Sequence, residues 1–137
     1  MTKQEIKDEY KNMEGDPIIK SKIRSAQMQF MRQKMMSAVP QADVVVANPT
    51  HFSVALKYDR TKASAPVVVA KGVDYMAFKI REIAKANNVP IVENKPLARA
   101  LYKLVPVDSV IPPDLYVAVA EILAFVYNKN NAANIHS

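Results

Sequence analysis

A chain of 137 residues with half its positions apolar is long enough for one core, and a domain of that size removes roughly two-thirds of its unfolded surface from water. It contains no cysteine and two histidines, which excludes disulfides, thiol nucleophiles and thiolate metal sites and argues against a transition-metal site built on histidine. Nineteen basic against 13 acidic residues give a formal net charge of +6, which favours an anionic partner without choosing among nucleic acid, lipid and acidic protein.

The opening "MTKQEIKDEYK" alternates charge without an apolar run and is therefore no signal peptide. Thr2 with Glu5 forms a capping box for a first helix. Gly15, Asp16 and Pro17 then read as a stop, an N-cap and an N1 proline, making a linker hinge before a second helix that runs from Pro17 to about Met36. Its apolar positions, among them Ile19, Ile23 and Phe30, are irregularly spaced, which predicts partial docking and a first fifteen residues that are mobile or dependent on something upstream. Met28, Met31, Met35 and Met36 read as adaptable packing. Lys20, Lys22, Arg24, Arg32 and Lys34 read as a solvated face.

After Pro40 four runs rich in β-branched residues predict strands: "DVVVA" from Asp43, "FSVALKY" from Phe52, "PVVVA" from Pro66 and "PIVE" from Pro90. Between the last two, Asp74 to Asn88 predicts a helix with Asp74 as N-cap and Met76, Ile80, Ile83 and Asn87 on one face. Leu97, Leu101 and Leu104 mark another helix. Pro112 and Pro113 open a last one that ends near Tyr127 and is apolar almost all round except at Glu121. Its apolar run from Leu115 to Tyr127 is shorter than the roughly 20 residues of a membrane span. The predicted fold class is mixed α/β: a small four-stranded sheet covered by helices (39–128), a preceding linker helix segment (1–38) and a frayed polar tail (129–137), with strand order left open.

Asn48, Pro49, Thr50 and His51 separate the first two strands. A plain turn is one reading, since asparagine and proline suit its first two positions. Proline in the middle rules out a glycosylation sequon. The other reading is chemical. Pro49 lacks an N–H, so succinimide formation by the following nitrogen is closed at Asn48, but attack of the Asn48 carboxamide on its own carbonyl remains open and expels the Pro49 nitrogen. A turn that holds a near-attack geometry supplies on the order of 7 to 11 kcal/mol through proximity. His51 is the nearby side chain suited to move the protons, and Thr50 could place a water or bind the carbonyl.

Around this turn, "EGDPIIKSKIR", "VPQADVVVANPTHFSVALKYD", "SAPVVVAKG" and "IREIAKANNVPIVENKPLARALYKLV" follow one another in an order that resembles the cytoplasmic domain of the FlhB/YscU family of type III secretion switch proteins, on the flagellar side of that family. The resemblance implies self-cleavage between Asn48 and Pro49, with Asn48 cyclising, Pro49 leaving, and Thr50 and His51 accelerating. It implies cleaved fragments that stay associated, and a switch from rod and hook to filament export. The implied partners are other export-gate membrane components, export substrates and a hook-length control protein. It also implies a place at the cytoplasmic face of the bacterial inner membrane, through an N-terminal transmembrane domain that this chain lacks, so the chain is expected to be a soluble fragment. No cofactor and no metal is implied.

The family reading also assigns Ala65, Pro66, Ala120 and Leu123 to an apolar patch for export substrates; simple burial of an apolar helix is the competing explanation. The five basic residues of the linker would lie near anionic lipid. Rival functions are a virulence injectisome switch, an intact scaffold with an inert turn, and a basic nucleic-acid-binding module. The last lacks interleaved aromatic and basic strand residues, so no nucleic acid is expected. A turnover enzyme finds no paired carboxylates, and Gly15 and Gly72 alone make no phosphate cradle.

Overall fold

The computed structural model describes residues 15–49 and 51–136; the Thr2 and Glu5 capping box, the stretch before Gly15 and Thr50 lie outside them. The chain divides into two compact units, Met1–Lys34 and Met35–Ser137.

Helix α1 (Pro17–Ala38) starts where the sequence places it. The Asp16 Oδ1 accepts the Ile18 N–H at 2.8 Å, satisfying a donor that a first turn leaves free, and the Asp16 carbonyl accepts the Lys20 N–H at 2.9 Å as the first bond of the helix. No residue of α1 is buried, and Ile23 and Phe30, two of the positions expected to pack, are exposed.

In the second unit a 3-10 turn (Val39–Gln41) leads into β1 (Val44–Asn48), β2 (Phe52–Lys57) and β3 (Val67–Val73). Helix α2 (Asp74–Ala86), β4 (Ile91–Glu93), α3 (Lys95–Leu104) and α4 (Tyr116–His136) complete it. The sheet order is β3-β2-β1-β4, antiparallel except for the parallel β1·β4 pair. Central β1 is covered on both faces, which is why Val44 to Ala47 read as an unbroken apolar run. Val44 and Val46 face a core built with Leu97, Leu101, Val119 and Val126 of α3 and α4. Val45 faces Val39, Ile80 and Ala84, with Met35 and Met36 packed alongside. The outer edge of β3 is sheltered by the segment before α4: Val68 and Asp108 exchange backbone bonds with Ser109 and Val68 at 3.0 and 2.7 Å.

Several boundaries differ from expectation, among them the start of the last helix: Pro113–Leu115 form a 3-10 turn and α geometry begins only at Tyr116. Strand β3 continues through Lys71, Gly72 and Val73, because β2 offers a partner to each of them. Asp74 is not an N-cap; Val73 holds that position in extended geometry, and Asp74 is the first helical residue with a φ of 47°. Helix α3 does end at Leu104, the last of the three leucines that mark it; Leu104 is 63% exposed, and Val105, where the chain leaves helical geometry, is buried in the core. Helix α4 runs past Tyr127 to His136, through the segment expected to fray, where no glycine or proline stops it.

Candidate functional site

Asn48 ends β1 opposite Phe52 at the start of β2, so the two strands form a hairpin. The loop is closed by the His51 N–H, which donates to the Asn48 carbonyl at 2.9 Å. This is a turn bond with asparagine first and proline second, where each is favoured. Asn48 is half-buried, while Pro49 and His51 are exposed.

The sheet and both covering layers hold this turn. On the β1 side the Ala47 carbonyl accepts the Asn94 N–H at 3.0 Å, and the Asn94 Oδ1 caps α3 by accepting the Leu97 N–H at 3.2 Å. On the β2 side the His51 carbonyl accepts the Asp74 N–H at 3.0 Å. That amide is available because β3 passes into α2 without a loop: a Cβ on Gly72 would stand 2.5 Å from the Met76 Cβ, so only glycine lets the first turn of α2 lie so close to the strand. The Phe52 ring lies 5.1 Å from that of Tyr102 and 6.4 Å from the His51 imidazole, measured between centroids.

Lys71 stands on β3 opposite Val54. Its Nζ donates to the Tyr102 and Val105 carbonyls at 2.8 and 2.9 Å and sits 5.1 Å from the centre of the Tyr102 ring. Burial lowers its pKa below the ordinary value. The ammonium thus meets carbonyl oxygens at the C-terminal end of α3, where a helix favours a cation.

This arrangement bears directly on cyclisation. The carbonyl that the Asn48 carboxamide would attack already receives a hydrogen bond at the oxygen where negative charge develops. One such donor in acyl-transfer enzymes is worth about 2.7–4 kcal/mol of barrier. Asn48, Pro49 and His51 share one turn, in which the His51 ring is exposed and neighbours that of Phe52.

The other expected site residues are dispersed between core and surface. Ala65 and Leu123 are 3% and 6% exposed and belong to one buried cluster, Pro66 is half-buried, and Ala120 is exposed. Gly15 and Pro17 are exposed beside the Asp16 cap, with open space around Gly15. At the opposite end of β2 from the turn, a cavity of about 490 Å³ is lined by Lys57, Tyr58, Arg60 and Tyr127 among others. There the Asp59 carboxylate is already taken by Thr61, whose hydroxyl and N–H it accepts at 2.6 and 3.0 Å. Among the described residues no cluster of acidic and histidine side chains could hold a metal, and no helix is long and apolar enough to cross a membrane.

Asp74, Asn94, Lys71 and Tyr102 had not been singled out as site residues. For Asn94 a signal exists, an asparagine just before Lys-Pro at a helix start. The others depend on cross-strand and helix-to-strand contacts that no local pattern announces.

The family model described as "FlhB HrpN YscU SpaS Family" matches residues 1–126. The flagellar biosynthetic protein FlhB of Bacillus subtilis (strain 168) is 58% identical over 127 residues, covering 93% of this chain and 35% of that protein. The chain thus spans about a third of the length of the curated relatives it matches. Among solved structures, the cytoplasmic domain of FlhB from Shewanella putrefaciens superposes with a TM-score of 0.73 at 48% identity, over 75% of this chain and 79% of that one. The PscU C-terminal domain gives 0.54 at 38% identity, over 57% and 99%. Since the match runs through the linker, the sheet and nearly all the helices, this chain belongs to the FlhB/YscU family.

Proposed function

We propose that this chain is the cytoplasmic part of a flagellar type III export component that cuts its own backbone between Asn48 and Pro49, and that the opened loop switches export from rod and hook to filament subunits. The supporting observation is the His51 N–H bound to the Asn48 carbonyl in a turn whose leaving group is proline. The Asn48 Nδ2 attacks the Asn48 carbonyl carbon and gives up a proton to a base. The bond to the Pro49 nitrogen breaks, and that nitrogen takes a proton. Residues 1–48 then end in a succinimide, which water opens. His51, exposed and adjacent, reaches either proton by rotating its side chain, a motion that takes picoseconds to nanoseconds at a surface. The strands on either side of the cut remain in the sheet, β1 between β2 and β4, so the fragments stay associated.

Export substrates would meet the surface at Ala120 and Pro66, with Ala65 and Leu123 supporting from below. Other gate components and a hook-length control protein complete the set of partners. The flagellar assignment follows the FlhB proteins that the chain resembles.

Intact mass under denaturing conditions, beside Asn48→Ala, tests the cleavage. The expected outcome is two fragments, 1–48 and 49–137, absent from the variant, with the first transiently one water lighter than its final mass. A single uncut chain in both samples sinks the proposal. Direct hydrolysis would yield the fragments without the lighter form.

A further inference from the structure

Lys71 is an unusual choice for a strand otherwise made of valine, alanine and glycine. Its neighbours along β3 are Val67, Val68, Val69, Ala70, Gly72 and Val73. Among the described residues its ammonium is answered by two carbonyls and an aromatic face and by no carboxylate. That contact fixes more than a helix end. Tyr102, whose carbonyl and ring Lys71 engages, stacks on Phe52 at 5.1 Å with 35° between the planes. Phe52 is the residue that faces Asn48 across the hairpin and follows His51 in the chain. The position of the Phe52 backbone sets the separation and twist of the Asn48·Phe52 pair, and with it the approach of the Asn48 carboxamide to its own carbonyl. Intramolecular attack is sensitive to such shifts: a displacement of about 1 Å costs on the order of 100-fold in rate.

We infer that Lys71 is a positioning residue for the self-cleavage reaction, holding Tyr102 against Phe52 so that the turn closed by Asn48 and His51 keeps its near-attack geometry. This rests on the cleavage proposed above. Lys71 touches none of the reacting atoms. The aromatic face of Tyr102 is the working part, so its hydroxyl is dispensable.

The test is the rate of cleavage in pulse-labelled cell-free synthesis of the whole chain, followed on denaturing gels, with the melting temperature of each variant measured in parallel. Lys71→Met and Tyr102→Leu are expected to slow cleavage about tenfold or more, within the range expected for misplaced groups. Lys71→Arg, which keeps the cation and its reach to two carbonyls, recovers most of the rate, and Tyr102→Phe stays near wild type. Ile83→Ala, packed on the other face of the sheet, serves as a control that lowers stability without touching the stack. Cleavage by Lys71→Met at the wild-type rate, or slowed no more than by an equally destabilised Ile83→Ala, overturns the inference and leaves Lys71 a helix cap. If Lys71→Met does not fold, Tyr102→Leu against Tyr102→Phe decides: equal rates overturn it. A wild-type chain that never cuts fails at the earlier step and removes both proposals, a result distinct from every variant outcome.

Discussion

Two chain reversals meet at one end of the sheet, and they are built on opposite terms. The hairpin turn at Asn48 is closed by the His51 N–H on the Asn48 carbonyl, with Pro49 and His51 in solvent. The β3 to α2 junction has no loop, brings Gly72 against Met76, and holds Asp74 at a φ of 47°. They are joined by the Asp74 N–H on the His51 carbonyl. A loosely tied turn needs a rigid neighbour if it is to hold a reactive geometry. The contrast shows where such rigidity would come from: close packing next door, outside the four residues proposed to do the chemistry.

The sharpest way to break the contrast is to loosen the rigid side. Gly72→Ala forces a Cβ onto that of Met76. It should cost about 1–3 kcal/mol, typical of overpacking, and slow cleavage by displacing the Asp74 amide from His51; urea unfolding and the fragment assay read the two effects. A smaller change acts on the other anchor. Asn94→Ala removes the cap on α3 but leaves the backbone N–H on Ala47. We expect a loss of about 1 kcal/mol with cleavage near wild type, and a large rate loss here would mean that the helix cap itself tunes the turn. The smallest effect sharpens the comparison. Asp74→Gly keeps the amide and releases the left-handed strain, so stability should rise by up to about 1 kcal/mol with cleavage unchanged. A fall in melting temperature would show that the Asp74 side chain contributes more than its backbone strain costs.

How much of this was legible in the sequence depended on whether the cause was local. The four strands were readable because β-branched residues cluster in short runs, and the Asp16 cap because its signal spans three residues. The end of β3 was not, since Lys71 and Gly72 look like a strand's end until β2 is seen to pair with them. Leu104 has the correct spacing for a buried stripe, yet the helix stops there and Val105 goes inward instead. At the site, Asn48, Pro49 and His51 are consecutive or nearly so and were read directly. Lys71, Asp74, Asn94 and Tyr102 reach it from β3, α2 and the start and end of α3. Their convergence follows from the strand order, which the pattern of residues left open.

That strand order also has a mechanical meaning. Because β1 lies between β2 and β4, a cut beside Asn48 leaves the segment before it as a middle stave gripped along both sides. A pull on its N-terminal end would load both ladders in shear, all their bonds at once, instead of peeling them one by one from an edge. Parting the two pieces would therefore be the same event as melting the domain, and a force too weak to melt it would be carried through the severed chain as if it were whole.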